Sequence, residues 1–273
     1  MGLPNAFDIS YDDWLSIFGE IGQPSYRAGQ ICGWLWRRGA ADPSEMTDFS
    51  KALRERLAAM FDFTPPSIEG ESRADDGTRK FVLRLSDGEE IETAVLKQGD
   101  RITACLSTQV GCPVSCPFCA TGAGGFERSM SCGEIASQLV VIEKFLGREA
   151  NNVVFMGMGE PFLNTDATLG AVRVLNNPKM RGLGIRHMTI STAGVIPGIK
   201  ALAESGLGVR LAVSLHAASD DLRDELVPCN TSYPLGELIP ALREYQTTTG
   251  DRITIEYAMF RGKHDSLDHA RSL

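Results

Sequence analysis

Cys112-Pro113-Val114-Ser115-Cys116-Pro117-Phe118-Cys119 gathers three thiols within eight residues, where Gly111, Pro113 and Pro117 disfavour regular structure. A loop of this kind lets three thiolates converge on one point. Iron-sulfur clusters are usually held by four cysteines, so three leave one iron open to an outside ligand. A structural zinc ion prefers four Cys or His ligands at shorter, paired spacings and would have to recruit Cys105 or Cys132. Three packing cysteines are a further reading, to which a proline-rich loop is poorly suited.

Outward from this loop the chain reads as repeated β-α units. Residues 103–108 precede it as a short apolar strand, and Ser131-Cys-Gly-Glu134 follows it as a capping box that opens a helix. Further strands are expected at residues 152–156, 187–191, 209–215 and 253–259, separated by helical stretches, which implies a parallel sheet. Five such strands are too few for an eight-unit barrel but fit an open, partial one, an α/β fold. Residues 1–64 read as a small N-terminal helical domain, with helical segments at residues 12–22, 26–39 and 43–61. Residues 65–100 read as a linker at Pro65-Pro66 followed by a β-hairpin that turns at Asp87-Gly88. Residues 101–273 then form the barrel, and residues 266–273 open a helix with no terminating cap.

Composition narrows the chemistry. With 43% hydrophobic and 23% charged residues, the 273-residue chain has an ordinary globular make-up. Its net charge of −8 argues against coating nucleic acid through bulk electrostatics, while leaving room for a local basic patch. Four of the seven cysteines lie between positions 105 and 119, which favours metal or redox chemistry in a reducing compartment over a disulfide framework. No apolar run approaches a membrane span and the N-terminus lacks a signal-peptide pattern, so a cytoplasmic protein without membrane association is expected.

The C-x3-C-x2-C spacing, with Phe118 before the last cysteine, resembles the signature of the radical S-adenosylmethionine (radical SAM) superfamily. Ser107-Thr-Gln-Val-Gly-Cys112, Ala120-Thr-Gly-Ala-Gly-Gly-Phe-Glu-Arg128 and Phe155-Met-Gly-Met-Gly-Glu-Pro161 resemble the RNA adenine methyltransferases of the RlmN/Cfr family. The likeness continues in His187-Met-Thr-Ile-Ser-Thr-Ala-Gly194, Leu211-Ala-Val-Ser-Leu-His-Ala217, Asp224-Glu-Leu-Val-Pro-Cys-Asn230 and Tyr26-Arg-Ala-Gly-Gln-Ile31. It implies a partial (β/α) TIM-like barrel of the radical SAM type and a [4Fe-4S] cluster on Cys112, Cys116 and Cys119. It also implies two SAM molecules per turnover. One methylates a cysteine of the enzyme, and the other is cleaved reductively to a 5′-deoxyadenosyl radical that activates the methyl group for addition to an adenine carbon. A radical route suits a carbon that is neither nucleophilic nor acidic. The implied product is methylation at adenine C2 in 23S rRNA, at the peptidyl transferase centre, and in tRNA. Methylation at C8 by the antibiotic-resistance relative stays open, as does a non-catalytic zinc or iron-sulfur RNA-binding module. Implied partners are 23S rRNA, tRNA and an electron donor such as flavodoxin, acting on a monomer.

By the same resemblance, Gly159 and Glu160 contact the SAM amino group, and Ser191, Ser214, Leu215 and His216 match further SAM positions. Residues two apart on a strand share a face, so Ser214 and His216 are expected to point together into the barrel mouth. Cys105 matches the cysteine that resolves a protein-RNA adduct through a disulfide bond with the methyl-carrying cysteine, and Glu92 matches a proton acceptor. From the residues alone, Gly159 could serve a tight turn, Cys105 and His216 could be core, and Glu92 could be a solvated strand carboxylate. Cys32, Cys132 and Cys229 read as packing residues. RNA contacts are expected from Trp34, Trp36, Arg37 and Arg38, or from Lys179, Arg181, Arg186 and His187, each of which could equally be a solvated face. The resemblance places the methyl-carrying cysteine and a SAM-contacting asparagine beyond Leu273. These residues are therefore expected to bind the cluster and SAM without transferring a methyl group to RNA.

Overall fold

The computed structural model describes residues 2–273. Its N-terminal module packs α1 (Tyr11–Glu20), α2 (Tyr26–Trp36) and α3 (Lys51–Met60) around Trp14, Phe18, Ile31 and Trp36. Ser10 and Asp13 close a capping box on α1. The segment read as one helix over residues 43–61 divides into a 3-10 turn at Pro43–Glu45, capped by Asp42, and α3, capped by Ser50. Two N-cap side chains in one stretch specify two starts.

β1 (Ser67–Arg73), β2 (Arg79–Arg84) and β3 (Glu90–Gln98) form an antiparallel meander. The hairpin at Asp87-Gly88 is therefore present, but the linker before it holds a strand of its own. β1 was illegible because Ser67-Ile-Glu-Gly-Glu-Ser-Arg73 shows no apolar alternation, and its residues are exposed or only half-buried. The meander does not merely link: β3 pairs antiparallel with β4 (Arg101–Cys105), extending the barrel sheet.

After β4 the chain makes a small hairpin of β5 (Gln109–Gly111) and β6 (Phe126–Ser129), with the cysteine loop and the one-turn α4 (Ala120–Ala123) between them. Then α5 (Cys132–Leu146), β7 (Asn152–Phe155), α6 (Thr165–Asn176), β8 (Met188–Thr192), α7 (Ile196–Glu204) and β9 (Arg210–Ser214) alternate. α8 (Asp220–Leu226), α9 (Leu235–Thr249), β10 (Ile253–Glu256) and α10 (Leu267–Ser272) complete the order. β4, β7, β8, β9 and β10 are parallel neighbours in that sequence, the progressive winding of a partial barrel.

The helical module and the barrel share one apolar core. At their seam the Gly133 N–H at the start of α5 donates to Asp8 Oδ1 at 2.6 Å, a carboxylate at a helix N-terminus. A Cβ on Gly133 would lie 2.6 Å from the Phe7 carbonyl carbon, so only glycine permits this approach. Among the described residues no helix is long and apolar enough to cross a membrane.

Candidate active site

The C-terminal ends of the parallel strands surround a cavity of about 200 Å³. Cys112, Cys116 and Cys119 line it together with Gly159 and Glu160 after β7, Ser191 on β8, Ser214 and His216 at the end of β9, and Glu256 ending β10. The sequence-derived cluster and SAM positions thus come together in one place, apart from Leu215, whose side chain is buried behind the wall.

Glycine geometry shapes the cysteine loop. Gly111 has φ +75°, and a Cβ there would stand 2.1 Å from the Gly125 carbonyl oxygen, which accepts the Cys112 N–H at 2.8 Å. Ser115 lies in the left-handed region at φ +57°, the Cys119 N–H donates to the Cys116 carbonyl, and α4 begins just after Cys119. Burial, then mutual repulsion, pushes the Cys116 thiol up to about 12, and burial also raises Cys112. Such thiols ionise when a cationic centre takes them as ligands.

The thiols share a wall rather than a point. Among the described residues no three His, Cys, Asp or Glu side chains are grouped to hold one metal ion. A single zinc ion needs that convergence. A [4Fe-4S] cluster, larger than one ion, would take the three thiolates across a wider gap. Phe118 seats the loop against the neighbouring strand end, with its ring 5.2 Å from His216 and 5.1 Å from Phe260.

Two sequence runs quoted separately turn out to be one structure. The Gly157 N–H donates to the Leu106 carbonyl, the Met158 N–H to Ser107 Oγ, and the Glu160 N–H to Gln109 Oε1 at 2.8 Å. Thr108 and Gln109 donate their own N–H groups to the Met158 carbonyl. Gly159 has φ +102°, and a Cβ would meet the Gln109 side chain at 2.6 Å. Ser107 and Gln109 are therefore positioning residues that sequence reading passed over; their adjacency to the cysteine run was the available signal. The Glu160 carboxylate is buried and accepts from Thr192 Oγ1, the Ala193 N–H and the Phe162 N–H at 2.7, 2.7 and 3.0 Å. Burial raises its pKa, against the pull of those donors.

On the opposite wall, Ser191 and Ser214 both donate to Glu256 Oε2 at 3.3 Å. Glu256 is a second omission of sequence reading, although it ends a barrel strand, where site residues gather. His216 corrects an expectation: β9 ends at Ser214, and His216 has φ +59°, so strand alternation does not aim its ring. Its Nδ1 accepts from the Ala258 N–H at 3.1 Å, and burial, then Arg223 and His264, lower its pKa to about 4. A neutral imidazole with Nε2–H results. The Leu215 N–H donates to the Glu256 carbonyl. Cys105 ends β4, its thiol raised to about 11 by burial.

Glu92 lies outside this cavity. It borders a larger one of about 610 Å³ between β3 and the Ala120–Ala123 turn, and its carboxylate pairs with Lys80 at 2.7 Å. Met158 lines that space too and accepts the Glu92 N–H on its sulfur at 3.1 Å, so the glycine-rich loop separates the two cavities.

Several expected RNA contacts are committed inside the protein. Trp36 is 1% exposed, packed at right angles against Phe7, and Arg181 is buried and paired with Glu143 at 2.7 Å. Arg37 donates to the Pro178 and Met180 carbonyls. Trp34 bonds Asp48 and lies under Arg38, and His187 bonds Asn152. Lys179, Arg186 and Arg38 stay exposed. Cys32 and Cys132 pack in or against the core, while Cys229 packs beside Cys112 and Cys116.

A partial barrel with three cysteines and a glycine-acid loop at one mouth defines the radical SAM class, and the family model for the Radical SAM superfamily matches residues 106–272. The model for the ribosomal RNA large subunit methyltransferase N-terminal domain matches residues 4–62. The chain is 46% identical over 274 residues to a probable dual-specificity RNA methyltransferase RlmN of Thermotoga neapolitana, covering 99% of this chain and 79% of the relative. The correspondingly named protein of Gemmatimonas aurantiaca is 45% identical over 276 residues, covering 99% of this chain and 76% of that one. The crystal structure of a radical SAM methyltransferase from Sphaerobacter thermophilus superposes with TM-score 0.94 at 43% identity, covering 99% of this chain and 80% of that one. The chain belongs to the RlmN family of radical SAM methyltransferases. With that membership come a [4Fe-4S] cluster and SAM, and a wall of three half-buried thiols beside a polar pocket fits them.

Proposed function

We propose that these residues bind a [4Fe-4S] cluster through Cys112, Cys116 and Cys119 and seat SAM beside it, for methylation of adenine C2 in 23S rRNA, at the peptidyl transferase centre, and in tRNA. The observation that carries this reading is the meeting of those cysteines with Gly159, Glu160, Ser191, Ser214 and His216 in one cavity. RNA as the substrate class follows the relatives, which are named probable dual-specificity RNA methyltransferases. A methyl-cysteine intermediate, two SAM per turnover and an electron donor such as flavodoxin complete the proposal.

When bound, the cluster supplies the electron that cleaves SAM to a 5′-deoxyadenosyl radical. The protein's own residues position and exclude. Glu160, held by three donors, offers a fixed carboxylate to the SAM ammonium, and Gly159, packed against Gln109, sets the turn that presents it. Ser191 and Ser214 turn their hydroxyls from Glu256 to the SAM carboxylate. The Leu215 backbone closes the strand end behind SAM, and His216 donates from Nε2. Cys105 keeps its proton through burial until it resolves the adduct, and Glu92, which pairs with Lys80 at 2.7 Å, accepts the adenine proton.

The test is anaerobic reconstitution of the chain followed by SAM, dithionite and an rRNA fragment. We expect 5′-deoxyadenosine, abolished by Ala at Cys112, Cys116 and Cys119 together. Equal SAM cleavage by the triple variant would overturn the cluster assignment.

A further inference from the structure

Arg223, on α8, is fully buried, and all three of its hydrogen-bond acceptors are neutral. Nε donates to the Leu215 carbonyl at 3.1 Å, Nη1 to Asn230 Oδ1 at 2.7 Å, and Nη2 to the Ala193 carbonyl. The carboxylates of Asp220 and Asp224 reach it only through the Asn230 amide, at 3.0 and 2.7 Å. A guanidinium does not shed its proton on burial, so a full positive charge is held where charge is costly. Tying strand ends together would not by itself call for a cation.

Its position supplies a reason. Ala193 lines the cavity with Cys112 and Cys116. The Ala193 carbonyl that accepts from Arg223 also takes the Cys229 thiol at 3.5 Å, and the Ala193 N–H donates to Glu160. Cys112, Cys116 and Cys229 pack together with Leu226 and Val227, in the segment that carries Arg223. Arg223 thus stands one peptide behind the thiol wall. Three thiolates on a reduced cluster concentrate negative charge on that wall, and a buried cation offsets charge there with little solvent screening.

We propose that Arg223 is the buried counter-charge of the iron-sulfur site, a positioning residue that raises the cluster's reduction potential and so favours its reduced state. Asp220 and Asp224, through Asn230, hold that effect partly in check. The inference rests on Cys112, Cys116 and Cys119 holding the cluster. Loss of the cluster in their alanine variants tests that assignment separately from the potential of a cluster that is bound.

The experiment is an EPR-monitored redox titration of the anaerobically reconstituted chain without SAM. Arg223→Gln is expected to shift the midpoint to more negative potential, and Arg223→Lys, which keeps the charge, to stay closer to the unsubstituted protein. Because a buried arginine can be needed for folding, Asp224→Asn, at an exposed position, carries the opposite prediction of a more positive midpoint. Asp221→Asn, exposed on the same helix, is expected to leave it unmoved. If Arg223→Gln fails to load a cluster, the sign in Asp224→Asn decides. An unmoved or more negative midpoint in Asp224→Asn, or an unchanged midpoint in a fully loaded Arg223→Gln, overturns the proposal.

Discussion

His216 shows how one residue reports on its surroundings. Its pKa of about 4, below the ordinary value of 6.5, arises from burial and then from the positive charge of Arg223. Between those values the unfolded chain binds a proton at this position and the folded chain does not, so its contribution makes stability rise with pH. Lowering the pH from 6.5 to 4 therefore removes stability, and below 4 the loss is complete and constant. His216→Asn, which tolerates the left-handed backbone, is expected to flatten that part of the profile relative to the unsubstituted protein in denaturant melts at stepped pH. Glu160→Gln belongs to the same scale. The amide lacks the charge for an ammonium partner, and SAM affinity is expected to fall about tenfold or more by calorimetry, with little change in the cluster spectrum. The cysteines, Gly159, Glu160, Ser191 and Ser214 were legible from the sequence because each lies in a short run with its own pattern. Glu256, Ser107, Gln109 and Arg223 were not, because their roles come from partners 30 to 65 residues away or from burial, which no local pattern encodes.

At the scale of elements, the β5–β6 hairpin is what aims the cysteine loop, and Gly111 is its tightest point. Gly111→Ala places a methyl 2.1 Å from the Gly125 carbonyl oxygen at φ +75°. The expected cost is about 1–3 kcal/mol of stability, together with reduced iron loading, read by thermal melts and iron analysis. The parallel strands were legible because each is a short apolar run between helical stretches, and all five lie within a few residues of their expected bounds. β1 and the short β5 and β6 were not legible. Their pairing comes from neighbours across the sheet, and β1 keeps a polar, half-exposed surface with a register shift near Gly70.

Across the whole molecule the helical module and the barrel share one apolar core. Asp8 holds the seam by accepting the Gly133 N–H in the first turn of α5. Asp8→Ala is expected to cost about 1 kcal/mol in chemical denaturation while leaving the reconstituted cluster's absorption unchanged, since the seam lies away from the cysteine wall. The division of labour follows from topology. The ends of the parallel strands gather the site, the meander carries Glu92 to its flank, and the module braces the helix that follows the cysteine loop. The central claim is that Cys112, Cys116 and Cys119 hold a [4Fe-4S] cluster beside the SAM pocket. EPR of the anaerobically reconstituted, dithionite-reduced chain, recorded with and without SAM, tests it most directly. The account predicts a reduced-cluster signal that changes when SAM is added and is absent when Cys112, Cys116 and Cys119 are replaced by alanine. A colourless, EPR-silent zinc protein, or a cluster signal indifferent to SAM, would contradict it.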